Sequence, residues 1–124
     1  WAEECEGSWY PQKVGSEFSG EVRFVADGDD FCIGSTSDPK TWIRVRLVDF
    51  AAPEVNASQG QRGKDILEAA IKDRQVSCTT TPGPNGKTLV YDRFWRGRLL
   101  ATCSLNGESV ASQLRLAGAP ERGN

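Results

Sequence analysis

The chain has 124 residues, 38% of them hydrophobic, and a formal net charge of −2, which allows one compact domain with one core. No apolar run is long enough to cross a bilayer, and an acidic balance excludes binding nucleic acid through a global basic field, so any phosphate chemistry must rest on local arginines. There is no histidine, which rules out a histidine-based triad or general base, and the four cysteines, with no CxxC spacing, argue against zinc.

Residues 1–17 read as a polar N-terminal arm lying on a domain that spans residues 18–118, followed by a short tail, residues 119–124. The absence of methionine suggests that Trp1 is a processed or trimmed terminus. Phe18 to Ala26 alternates as a strand, Asp27-Gly28-Asp29-Asp30 signals a turn, and Phe31 to Gly34 is a short second strand, together a hairpin. A polar loop from Ser35 to Thr41 leads into a third strand, Trp42 to Phe50, with Ile43, Val45 and Leu47 on one side and Arg44 and Arg46 on the other. Ala51-Ala52-Pro53 breaks that strand, because proline cannot donate to a ladder, and the turn delivers Glu54 just beyond Arg46. A carboxylate and a guanidinium brought together so could serve an anionic substrate or form a solvated ion pair.

Ser58 is the expected N-cap of a helix running to about Asp73, with Ile66, Leu67, Ala70 and Ile71 on its apolar face. Gln75 to Thr81, Thr88 to Tyr91 and Leu99 to Ser104 are strand-like, and the arginine-rich passage Asp92 to Arg98 lies between the last two. Asn106-Gly107 turns the chain into a second helix, about Glu108 to Ala117, which Gly118 is suited to end. The tail is expected to fray. Five or so strands with a helix after the third and another after the last suggest a β-rich α+β fold, a small closed sheet with cover from two or three helices, and the five-stranded OB-type β-barrel is one architecture of that kind.

Cys78 and Cys103 read as buried free thiols or, at least as well given an even cysteine count without metal spacing, as disulfide partners, which would mean export to a secreted or periplasmic location. Of the three connectivities, Cys78–Cys103 with Cys5–Cys32 is favoured, one bridge tying two strands and the other pinning the arm.

Three segments then fall into one order: VADGDDF (residues 25–31), RVRLVDFAAPE (44–54) and GRLLA (97–101). The combination resembles the staphylococcal-nuclease (thermonuclease) family, with its DGDT, RxxLxGIDAPE and DRYGRxLA patterns, over residues 18–118. The resemblance implies an OB-type barrel carrying a calcium-dependent phosphodiesterase that acts on DNA and RNA, single-stranded nucleic acid being the expected substrate or ligand of a monomer with no membrane attachment. Position by position, it implies Asp29 as a metal ligand supported by Asp27, Arg46 and Arg98 as phosphate-binding arginines, and Glu54 as general base on the attacking water. Guanidinium forks and a divalent cation suit the charge that gathers on a phosphorus under in-line attack.

The chain departs from the pattern in three places. Ala51 stands where the family has its second metal aspartate, so calcium affinity should fall substantially; Asp49 and Asp30 are the nearest carboxylates, and neither is expected to compensate unless the backbone differs from the family's. DRFWRGRLLA carries two extra residues: counting back from LLA selects Arg98, counting forward from Asp92 selects Arg96, and Arg98 is preferred because it keeps the Gly-Arg pair beside the next strand. The chain also stops soon after its second helix, so the family's further C-terminal helix is expected to be missing. Three functions compete: a nuclease weakened at its metal, a non-catalytic module on the same barrel that binds nucleic acid or another anionic partner, and an exported domain that contacts a protein through aromatics such as Trp9, Trp42, Phe94 and Trp95.

Overall fold

A computed structural model describes residues 5–7, 11, 13–83, 86–91 and 97–122, the last three of the 86–91 segment by backbone alone. The element order is β1 (Glu17–Asp27), β2 (Asp30–Gly34), β3 (Ile43–Leu47), α1 (Gly60–Ile71), β4 (Gln75–Thr80), β5 (Leu89–Tyr91), β6 (Gly97–Leu105), β7 (Glu108–Ser109) and α2 (Val110–Leu116). A single 3-10 turn, Pro39–Thr41, interrupts the polar loop before β3 and is capped by the Asp38 carboxylate, which accepts from the Lys40 N–H at 3.0 Å.

Strands β3, β2, β1, β4 and β6 pair in that order, and parallel pairing of β3 with β6 closes the ring. This is the five-stranded, β-rich α+β barrel expected, of OB-like form, with β5 and β7 each added to β6 outside the ring. Period-two alternation sends Val45 and Leu47 of β3 and Ala101, Cys103 and Leu105 of β6 into one core, and a register shift in β1 between Val22 and Phe24 lets Val22 and Val25, three residues apart, both join it. Leu67 and Ile71 of α1 and Val110 and Leu114 of α2 complete it from the helices. Fully burying a large aliphatic or aromatic side chain contributes about 1.5–3 kcal/mol, so this cluster outweighs any single polar contact in holding the barrel.

Both expected disulfides are present. Cys78 and Cys103 are register partners across β4 and β6, with Cα atoms 4.0 Å apart. Cys5–Cys32 pins the arm to β2, reinforced where Gly7 N–H donates to Trp42 O at 2.7 Å.

Several boundaries differ from the sequence reading, four of them for a visible local reason. β3 ends at Leu47 rather than Phe50, because Val48 N–H turns to Ala101 O of β6 at 3.1 Å. Ser58 does not cap α1. Successive turns through residues 54–60 end on Gln59, in the left-handed region at φ 66°, and no side chain caps the helix. The helix stops at Ile71 because Asp73 N–H leaves it to reach Val22 O of β1 at 3.0 Å. α2 begins at Val110 behind a Ser109 cap, its first two expected residues being taken into β7. Gly118 ends α2 in the left-handed region, as expected.

The tail also differs. Instead of fraying, its described residues dock: Ala119 N–H donates to Leu114 O at 3.0 Å and Arg122 N–H to Ala51 O at 2.7 Å. Arg115 holds the segment from α2, pairing with Glu121 at 3.1 Å and donating to Asp49 O at 2.6 Å.

Candidate functional site

The two-residue turn between β1 and β2 is set by the register pair Asp27↔Asp30, which leaves Gly28 and Asp29 at its tip. A Cβ on Gly28 would stand 2.7 Å from that of Ala52, so glycine lets the turn lie directly against the segment after β3. There Asp29 Oδ2 accepts the Ala52 N–H at 2.9 Å and Asp27 Oδ1 the Val55 N–H at 3.1 Å. The segment is fixed from its other end too. Gly60 packs so closely on the Glu54 carbonyl that any side chain there would displace it. Glu54 is thereby held at the rim of the turn, its side chain exposed.

These constraints make one polar pocket of about 100 Å3, lined by Asp27, Asp29, Arg46, Ala52, Glu54, Arg98 and Arg122. All five residues singled out from three separated stretches of sequence meet here. Arg46, on the outer face of β3, sends one guanidinium nitrogen to Asp29 at 3.3 Å and another to Leu47 O at 2.6 Å. Arg98 enters from the second residue of β6, with Nη1 3.6 Å from Asp30 and a buried Nε that has no hydrogen-bond partner among the described residues. Arg96, the other way of counting the arginine motif, lies outside the described residues.

Two carboxylates in the pocket are pushed up from the ordinary value of 3.8. For Asp27 burial is the largest cause and the Asp30 charge the next, opposed by the Val55 N–H and Arg44. For Asp29 burial again leads, opposed by Arg46 and the Ala52 N–H.

Neither Asp30 nor Asp49 compensates for Ala51. Asp30 is fully buried and committed to Arg44, which grips it through Nε at 2.9 and 3.0 Å and NH2 at 2.8 Å. Asp49 lies outside the pocket, in a shallow groove over Ser77, Thr79 and Ser104. The calcium implied by the resemblance therefore meets a poor donor set. Calcium takes six to eight oxygens, whereas Asp29 Oδ2 is already engaged by a cation and an amide. Three guanidiniums line the pocket beside its three carboxylates, and no group of three or more metal-binding side chains occurs among the described residues. These residues do not fit a resident calcium ion.

Two features were missed in the sequence. Asp30 reads as one more turn carboxylate, yet it anchors Arg44 and Arg98; only its register opposite the arginine strand marks it. Arg122 has no pattern around it that could have pointed to the pocket. Trp42, offered as a contact aromatic, is buried, with its ring N–H donating to Thr36 O at 2.8 Å; Trp9, Phe94 and Trp95 lie outside the described residues.

Compared with known proteins, the chain matches no family model and no curated protein sequence. No helix of the described residues is long and apolar enough to cross a membrane, and the two disulfides suit an oxidising, extracellular or periplasmic compartment.

Proposed function

We propose that this chain is an exported protein of the thermonuclease kind, whose pocket takes a phosphodiester of single-stranded DNA or RNA and supports its hydrolysis. The observation that carries the reading is convergence: Asp27 and Asp29, Arg46, Glu54 and Arg98 come from three stretches of the sequence and line one pocket. At roughly 30 Å3 per water in the liquid, the pocket's 100 Å3 suits a phosphoryl group, so the sugars and bases lie outside it.

Within that pocket the roles follow from chemistry. Arg46 and Arg98 present planar forks to the phosphoryl oxygens and offset the charge that grows there during attack. Glu54, exposed at the rim, accepts a proton from the attacking water. Asp29 orients Arg46 through their ion pair. A second reading, a binding module without hydrolysis, is favoured by the occupied Asp29 carboxylate and by the loss of a metal ligand at Ala51.

Cleavage of denatured DNA, with calcium titrated, separates the two in the protein as given, in Ala51→Asp and in Glu54→Gln. Turnover that disappears in Glu54→Gln is the expected result. Activity confined to Ala51→Asp would mean an intact scaffold that lacks only its ligand. Silence in all three would leave the binding module.

A further inference from the structure

The C-terminal segment brings to the pocket a charge that the motif-bearing stretches do not contain. Arg122 N–H donates to the carbonyl of Ala51 at 2.7 Å, so its backbone sits against the residue that replaces the family's second aspartate. Its side chain lines the pocket with Arg46 and Arg98. Among the described residues no carboxylate pairs with it, whereas Arg46 is tied to Asp29 and Arg98 to Asp30. The docking is built rather than casual. Arg115 clamps Glu121 and the Asp49 carbonyl, and Pro120 lies over Gly63 at the start of α1.

We propose that Arg122 is a third phosphate-binding guanidinium, carried in by the docked tail, and that with it the pocket holds a phosphodiester without a divalent cation. The proposal rests on the phosphodiester reading above and adds what neutralises the substrate. Where one lost carboxylate weakens a cation site, a guanidinium whose backbone is held at the same edge meets the phosphate directly. A fork of two N–H groups binds phosphate bidentately, which a lysine at the same place cannot match.

The test is fluorescence anisotropy of a short labelled single-stranded oligodeoxynucleotide with EDTA present. The variants are Arg122→Ala, Arg122→Lys, Arg46→Ala and Arg98→Ala. The chain itself is expected to bind in EDTA. Arg122→Ala should weaken binding about tenfold and flatten the logarithmic salt dependence by about 0.7, the loss of one phosphate contact on a single strand. Arg122→Lys should recover the salt slope and only part of the affinity. Alanine at 122 keeps the backbone bond to Ala51, and an unchanged melting temperature verifies that the variant folds. Arg122→Ala binding as tightly as the parent, while Arg46→Ala is weakened, overturns the role of Arg122 and leaves the phosphodiester reading standing. Binding that EDTA abolishes and calcium restores overturns the cation-free site. No binding by the parent with or without calcium, or binding by all four variants as tight as the parent's, brings down the phosphodiester reading itself.

Discussion

Asp29 and Asp30 are adjacent in one turn and do opposite things. Asp30, with no exposed surface, is gripped by Arg44 through three contacts of 2.8–3.0 Å and approached by Arg98 at 3.6 Å. Asp29 has one cation at 3.3 Å and one amide at 2.9 Å, and opens on a pocket. The alternation of a strand explains the split: Asp30 begins β2 and faces the arginines of β3, whereas Asp29 stands at the turn's tip, against the segment that follows β3. A saturated buried pair sets the shape of a site; an incompletely satisfied neighbour leaves room for a ligand.

Substitutions can break that contrast. Asp30→Ala should have the largest effect, about 3–5 kcal/mol of stability by urea denaturation, because it removes a fully buried carboxylate from the mostly buried Arg44 guanidinium that it holds at 2.8 Å. A loss below 1 kcal/mol would mean that Asp30 is not structural. Asp29→Asn should change stability by about 1 kcal/mol or less, since the amide oxygen still accepts from Ala52, while oligonucleotide binding falls as Arg46 loses its orienting charge. Equal stability losses at the two aspartates would erase the distinction between them.

The smallest effect expected is a gain. The folded state holds Asp27 above its ordinary value of 3.8, chiefly by burial, so ionising it costs the native state more than the unfolded chain. That penalty is absent below 3.8, grows as pH rises through the raised native value, and is constant above it. Asp27→Asn should therefore raise the melting temperature at neutral pH, and the advantage over the parent should close in acid. An advantage that persists in acid would assign it to packing rather than charge.

Much of the barrel was legible in the sequence because it rests on local signals, whereas the candidate site residues were reached only through the order of three motif segments, which the structure brings to one pocket. Strands β1 and β3 follow from alternation, and the Asp27–Asp30 turn from its composition. What was not legible depends on distant partners. The start of α1 is fixed by Gly60 packing on the Glu54 carbonyl, which overrides the better capping chemistry of Ser58. The tail docks through Arg115 and Glu121, six positions apart across a chain reversal, a spacing that belongs to no regular periodicity. The Asp30–Arg44 clamp needs the register of β2 on β3, which no single strand states.

The parallel seam between β3 and β6 has a kinetic meaning. It pairs Val45 with Leu99 and Arg46 with Leu100, so ring closure requires a long intervening loop to be brought round before any contact rewards it. Arg46 and Arg98 stand on opposite sides of that seam. A chain whose β6 has not yet closed the ring lacks Arg98 from the pocket, and on the proposed phosphodiester reading the appearance of oligonucleotide affinity during refolding would time the closure of the barrel.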